Sequence, residues 1–69
     1  MGDGLFVEFA EDGDYTVEVY NANGMLMAQK SQNMAAGQNM NIRLGAQGVY
    51  IVRVLRGGEL ARTIKVIRK

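Results

Sequence analysis

Gly48-Val49-Tyr50-Ile51-Val52-Arg53-Val54 is the longest run of β-branched and aromatic residues in the chain, and its reading decides the fold. Residues of this kind fit a pleated, packed surface. Alternation puts Tyr50, Val52 and Val54 on one face and Val49 and Ile51 on the other, so both faces are largely apolar. The run is therefore expected to be a central strand, flanked by neighbours and covered by a second layer.

Shorter alternating runs lie to either side. Leu5, Val7 and Phe9 alternate with Phe6 and Glu8 and end at Glu11-Asp12-Gly13-Asp14, where Asp-Gly predicts a hairpin. Asp12 and Asp14, with Glu11 beside them, offer carboxylate oxygens to calcium. A full calcium loop needs more ligands than these, so an ordinary turn is the expected reading. In Tyr15–Tyr20, Tyr15, Val17 and Val19 face one way, Thr16 and Glu18 the other. That run stops at Asn21-Ala22-Asn23-Gly24, where Asn23-Gly24 predicts a hairpin because both residue types tolerate positive φ.

Residues 25–31 then return as the partner strand. Met25 and Met27 share one face, Leu26 and Ala28 the other, and the methionines are expected to fill core space. Residues 32–37 have no clear period and are expected to form a loop crossing between sheets, a short helix being the alternative. Met40, Ile42 and Leu44 alternate with Asn39, Asn41 and Arg43 as a half-exposed strand. Gly45–Gly48 is a turn into the central run, and Gly57-Gly58 folds residues 59–69 back, with Ile64 and Val66 on one face and Thr63, Lys65 and Ile67 on the other. The structural turn residues are thus Gly13, Asn23, Gly24, Gly57 and Gly58. Turn glycines recur at the interval consecutive short strands require and leave no room for crossover helices. The expected fold is all-β and antiparallel, a sandwich or barrel of six to seven short strands.

Sixty-nine residues set narrow bounds on everything else. A chain of about 60 residues buries only about 60% of its unfolded surface, so stability needs help. The chain has no cysteine and no histidine, which removes disulfides, the usual zinc ligands and the commonest general base. Neither an enzyme nor a bound cofactor is expected. Residues 1–29 hold six acids and no bases, and residues 30–69 hold eight bases and one acid, that is −6 and +7. The expected cause is that acidic early strands lie beside basic late ones; a basic face for an anionic partner is the other reading. No window approaches the ~18 apolar residues of a membrane helix, and residues 1–4 lack the features of a signal peptide. Met1 is expected to be an artificial start on a piece of something larger.

Three stretches together carry more than any one alone: Tyr15-Thr16-Val17-Glu18-Val19-Tyr20-Asn21-Ala22-Asn23-Gly24, then Gly48–Val54, then Thr63-Ile64-Lys65-Val66-Ile67-Arg68-Lys69. Their order and spacing over residues 15–69 resemble the C-terminal sorting domain of proteins exported by the type IX (Por) secretion system. That family has a V-Y-N-x-x-G-like turn, a G-V-Y-[IV]-V-[RK]-V strand and a basic last strand. The resemblance implies an immunoglobulin-like sandwich at the C-terminus of a cargo protein secreted by a Gram-negative bacterium. A translocon would carry the cargo from the periplasm across the outer membrane, and a sortase-like peptidase would then remove the domain. Family members usually begin with a further strand carrying a Pro-Asn-Pro-like segment, and this chain has no proline.

What the resemblance implies for residues is recognition through the last two strands: Gly48, Val49, Tyr50, Ile51, Val52, Arg53 and Val54, with Lys65, Val66, Ile67, Arg68 and Lys69. The terminal strand would offer unpaired N–H and C=O groups, and its bases would steer the encounter. The alternative is an immunoglobulin-like adhesion module for protein or carbohydrate, for which Phe6, Tyr20 and Tyr50 are the only aromatic candidates. Nucleic acid is not an expected partner, since only one aromatic lies in Gly48–Val54. Six strands where the family has seven leave an open sheet edge, and so a homodimer is expected at high concentration.

Overall fold

The computed structural model of the protein describes residues 4–45 and 47–68. Six strands follow one another: β1 (Gly4–Glu8), β2 (Gly13–Asn21), β3 (Leu26–Met34), β4 (Asn39–Arg43), β5 (Gly48–Arg56) and β6 (Glu59–Arg68). They form two antiparallel sheets, β1-β4 and β3-β2-β5-β6. The result is an immunoglobulin-like β-sandwich in which two strands lie over four.

The run Gly48–Val54 is central, as expected. It is flanked by β2 through Val19↔Val52 and Val17↔Val54 and by β6 through Tyr50↔Val66 and Val52↔Ile64. Its inward residues Tyr50, Val52 and Val54 are buried, as are Tyr15, Val17 and Val19 of β2. From the other sheet come Val7 and Phe9 with Met40, Ile42 and Leu44, and Met34 closes one side. No polar or charged residue is buried in this core among the described residues. Apart from Met34, each inward position is one that strict period-two alternation assigns, because a one-residue slip would turn the whole set outward.

A two-stranded sheet cannot cover four strands. Ile64 and Val66 of β6 are only partly buried against the core, and so is Ala28 of β3. At the seam between β1 and β6 an open groove of about 150 Å³ reaches Val7, Tyr15, Val54 and Ala61.

The pairing corrects several expectations. Residues 11–14 do not make a hairpin: β1 pairs with β4, in register Leu5↔Ile42 and Val7↔Met40, and the chain crosses to the other sheet before β2. Local turn chemistry was overruled because Phe9 extends the β1-β4 pairing by one step and packs its ring on Tyr15 of the other sheet. Phe9 N donates to the Gln38 carbonyl at 3.0 Å, Gly37 N donates to the Phe9 carbonyl at 2.7 Å, and the Phe9 ring stacks 4.2 Å from that of Tyr15. Gly13 is accordingly not a turn glycine but the first residue of β2, opposite Met34.

The crossover is held by side chains. Tyr15 Oη donates to the Glu11 carbonyl at 2.8 Å, the device that closes tyrosine corners in related sandwiches. Asp12 Oδ1 accepts from Ala36 N at 2.7 Å, and Asp14 Oδ1 accepts from Asn33 Nδ2 at 2.7 Å. The Asp12 carboxylate ties one connection to the next and that of Asp14 links β2 to β3, and no group of three or more metal-ligating side chains occurs among the described residues.

Gln32, Asn33 and Met34 belong to β3 rather than to a loop, and the crossing between sheets is made by residues 35–38. The methionine expectation also fails at two positions, since Met25 is 62% exposed and Met27 56%. Both precede the part of β3 that faces the small sheet, and Met27 is the extra residue of a bulge, between the pairs Tyr20↔Leu26 and Val19↔Ala28. The acid and base segments do meet, through β2 and β5: Glu18 pairs with Arg53 at 4.0 Å and Glu11 with Arg56 at 3.3 Å.

Candidate functional interface

The three stretches singled out in the sequence converge at one end of the four-stranded sheet. Asn21, at the end of β2, lies opposite Tyr50, and Tyr20 opposite Ile51. On the other side of β5, Gly48 lies opposite Arg68, Val49 opposite Ile67 and Tyr50 opposite Val66. Residues far apart in the chain thus share three adjacent strands, about 5 Å from one to the next.

Asn21 organises the turn that borders this end. Its Oδ1 accepts from Asn23 N at 2.9 Å and Met25 N at 3.0 Å, and its backbone carbonyl accepts from Gly24 N at 3.0 Å. A side chain that captures backbone N–H groups further along is the reason asparagine opens turns. The expected part of Asn23 is corrected: no residue other than glycine has positive φ among the described residues, and in this turn it is Gly24, not Asn23, that takes the left-handed conformation, at 83°. This is a tight turn followed by a left-handed glycine rather than a two-residue loop with positive φ at both positions. The signal for Asn21 was present, three residues ahead of Gly24, but the stronger local pair Asn-Gly hid it.

The other hairpin is as expected. Gly57 and Gly58, with φ of 58° and 87°, join Arg56 to Glu59 in the mirror-image turn that strand twist favours. Gly48 begins β5 with φ of 148°, and no atom stands within 4 Å of where a side chain would project. Its constraint is conformational.

Of the residues expected to be recognised, Val52 and Val54 are core, and Tyr50 is buried as well. Val49, Ile51 and Arg53 lie half-buried on the outer face of the sheet, and Lys65 and Ile67 are exposed beside them. Val66 turns inward. Arg68 Nη1 donates to the Gly45 carbonyl at 2.7 Å, fastening the last strand to the connection before β5. Lys69 lies outside the described residues. β6 has β5 as its one neighbour among the described residues, so its other edge carries unpaired backbone groups, as that of β3 does. A shallow open groove of about 280 Å³ passes the turn, bordered by Asn21, Met27, Gln47 and Val49.

Sequence reasoning missed Leu26, half exposed and opposite Tyr20 on the outer face, and the exposed Met25 and Met27 beside the turn. The aromatic row of the adhesion reading does not assemble. Phe6 stands on the outside of the small sheet, Tyr20 on the outside of the large one, and Tyr50 is inside.

No curated protein and no solved structure matches the chain. A family model described as the secretion system C-terminal sorting domain matches residues 2–69, extending the likeness of residues 15–69 to nearly the whole sequence. The family consists of type IX sorting signals and is not a class of enzymes, and membership implies a secreted or cell-surface cargo. With its all-β sandwich and its three converging motifs, the chain belongs to the secretion system C-terminal sorting domain family.

Proposed function

We propose that the 69 residues form one sorting domain, carried at the C-terminus of a larger cargo that it directs from the periplasm across the outer membrane of a Gram-negative bacterium. The translocon reads the folded domain at the sheet end where β2, β5 and β6 meet. A sortase-like peptidase then removes it. The observation that carries this reading is the convergence of Asn21, Gly48–Tyr50 and Val66–Arg68 on three adjacent strands, the last of which is an edge. An edge strand offers main-chain hydrogen bonds for strand addition, and its side chains supply selectivity.

A reporter fused ahead of the chain, in a bacterium with a type IX system, tests it. The intact fusion is expected in the medium or at the cell surface. Deletion from Thr63 onward should hold it in the periplasm, and export of that truncated fusion would end the sorting reading.

A further inference from the structure

On the outer face of the four-stranded sheet, cross-strand register aligns Leu26, Tyr20, Ile51 and Lys65 in one row, with Val49 and Ile67 beside it toward the turn. Leu26 is 50% and Ile67 61% exposed, and Ile51 and Val49 lie half-buried between them. The patch is contiguous, apolar and without a covering layer among the described residues.

Its borders are unlike one another. Away from the turn lies a polar row, Gln29, Glu18, Arg53 and Thr63. Glu18 there accepts from Tyr20 Oη at 2.9 Å and from Gln29 Nε2 at 3.4 Å, and pairs with Arg53 at 4.0 Å. Much of the hydrogen-bonding and charge demand of that row is met within the sheet. On the β6 side stands Lys65, exposed and without an ion pair among the described residues. Among the described residues the face therefore presents an apolar centre and, in Lys65, an uncompensated positive charge, the layout of a docking surface with its polar group at the rim.

We infer that this face docks a protein component of the export machinery that lays an apolar side chain over Ile51, Val49 and Ile67 and sets a carboxylate against Lys65. The inference rests on the sorting reading and deepens it. Charge complementarity selects the carboxylate. The apolar centre, bounded by an internally paired row, selects a folded protein surface.

The test is export of the same full-length fusion carrying Ile67→Glu, Lys65→Glu or, on the opposite sheet, Phe6→Glu. Circular dichroism melts of each domain control for folding, and Ile67→Gln replaces Ile67→Glu if the latter shifts the melt. Ile67 and Lys65 variants should lose about tenfold or more in export with unchanged melts, while Phe6→Glu exports like the parent. Parental export of both Ile67→Glu and Lys65→Glu, with the Thr63 deletion still retained in the periplasm, overturns this docking face and leaves the sorting reading standing. Co-sedimentation of the purified domain with phosphatidylglycerol–phosphatidylcholine vesicles is expected to be absent. Vesicle binding that Ile67→Glu abolishes would overturn the protein partner in favour of a lipid surface.

Discussion

Arg56 lies over Gly13, its Nε 2.6 Å from where a side-chain carbon on Gly13 would stand. The same guanidinium donates to the Asp12 carbonyl, reaches Glu11 Oε1 at 3.3 Å and sits 6.0 Å from the centre of the Tyr15 ring. Gly13 is thus required by a neighbour's volume, not by its own backbone angle. Gly13→Ala should displace Arg56 and cost about 1 kcal/mol in urea unfolding. In an Arg56→Ala background the same change should cost little, and a double-mutant cycle measures the difference; simple additivity would show that the two residues are independent.

Asn21→Ala leaves two turn N–H groups without their acceptor. The expected loss is about 1–2 kcal/mol, whereas Asn23→Ala, whose backbone rather than side chain engages the turn, should change the urea midpoint little. The reverse order of effects would return the turn to the Asn-Gly pair.

Gly48 and Gly24 differ in the conformation they demand. At φ of 83° Gly24 occupies the left-handed region that asparagine tolerates, while φ of 148° at Gly48 lies where residues other than glycine are essentially absent. Gly24→Asn should therefore cost less than about 1 kcal/mol and Gly48→Ala about 1–3 kcal/mol. Equal chemical-denaturation midpoints would show that β5 can begin in an ordinary extended conformation.

Four strand edges stay unpaired among the described residues, those of β1, β4, β3 and β6. β3 protects itself with Gln29, Lys30, Ser31, Gln32 and Asn33, but β1 and β6 flank an open seam. The purified domain is expected to dimerise at high concentration through such an edge, and to do so less at high salt if the acidic first strands of one copy lie near the basic last strands of the other. Light scattering after gel filtration, over a dilution series at two salt concentrations, decides it; a monomer mass throughout would exclude association.

Replacing the bases of the last strand separates recognition from stability. Arg68→Gln removes the bond to the Gly45 carbonyl and should lower the melting midpoint, whereas Lys65→Gln should leave the melt unchanged and reduce export. If neither change affects export, Lys65 serves solubility and Arg68 stability alone.

Every strand but β3 was fully legible in the sequence because it has an inward set, such as Tyr15, Val17 and Val19, that period two picks out. The pairing was less so. β1 reads as the hairpin partner of β2 because Asp12-Gly13 is a local signal, whereas the contact of Phe9 with residues 37 and 38 is made by sequence-distant groups. Met25 and Met27 read as core because their composition says nothing of how far the opposite sheet extends. Lys65 and Ile67 were found through the family likeness; Leu26 was not, since its membership of the outer patch depends on a bulge that no residue pattern announced.

The meeting of residues 21–24, 48–50 and 66–68 on adjacent strands means that, if the machinery reads this end, the address is conformational rather than linear. A chain whose synthesis stopped before β6, or one still unfolded, would carry most of the letters but not the word. Export would then select at once for completeness and for folding of the tail, a proofreading step achieved by topology alone.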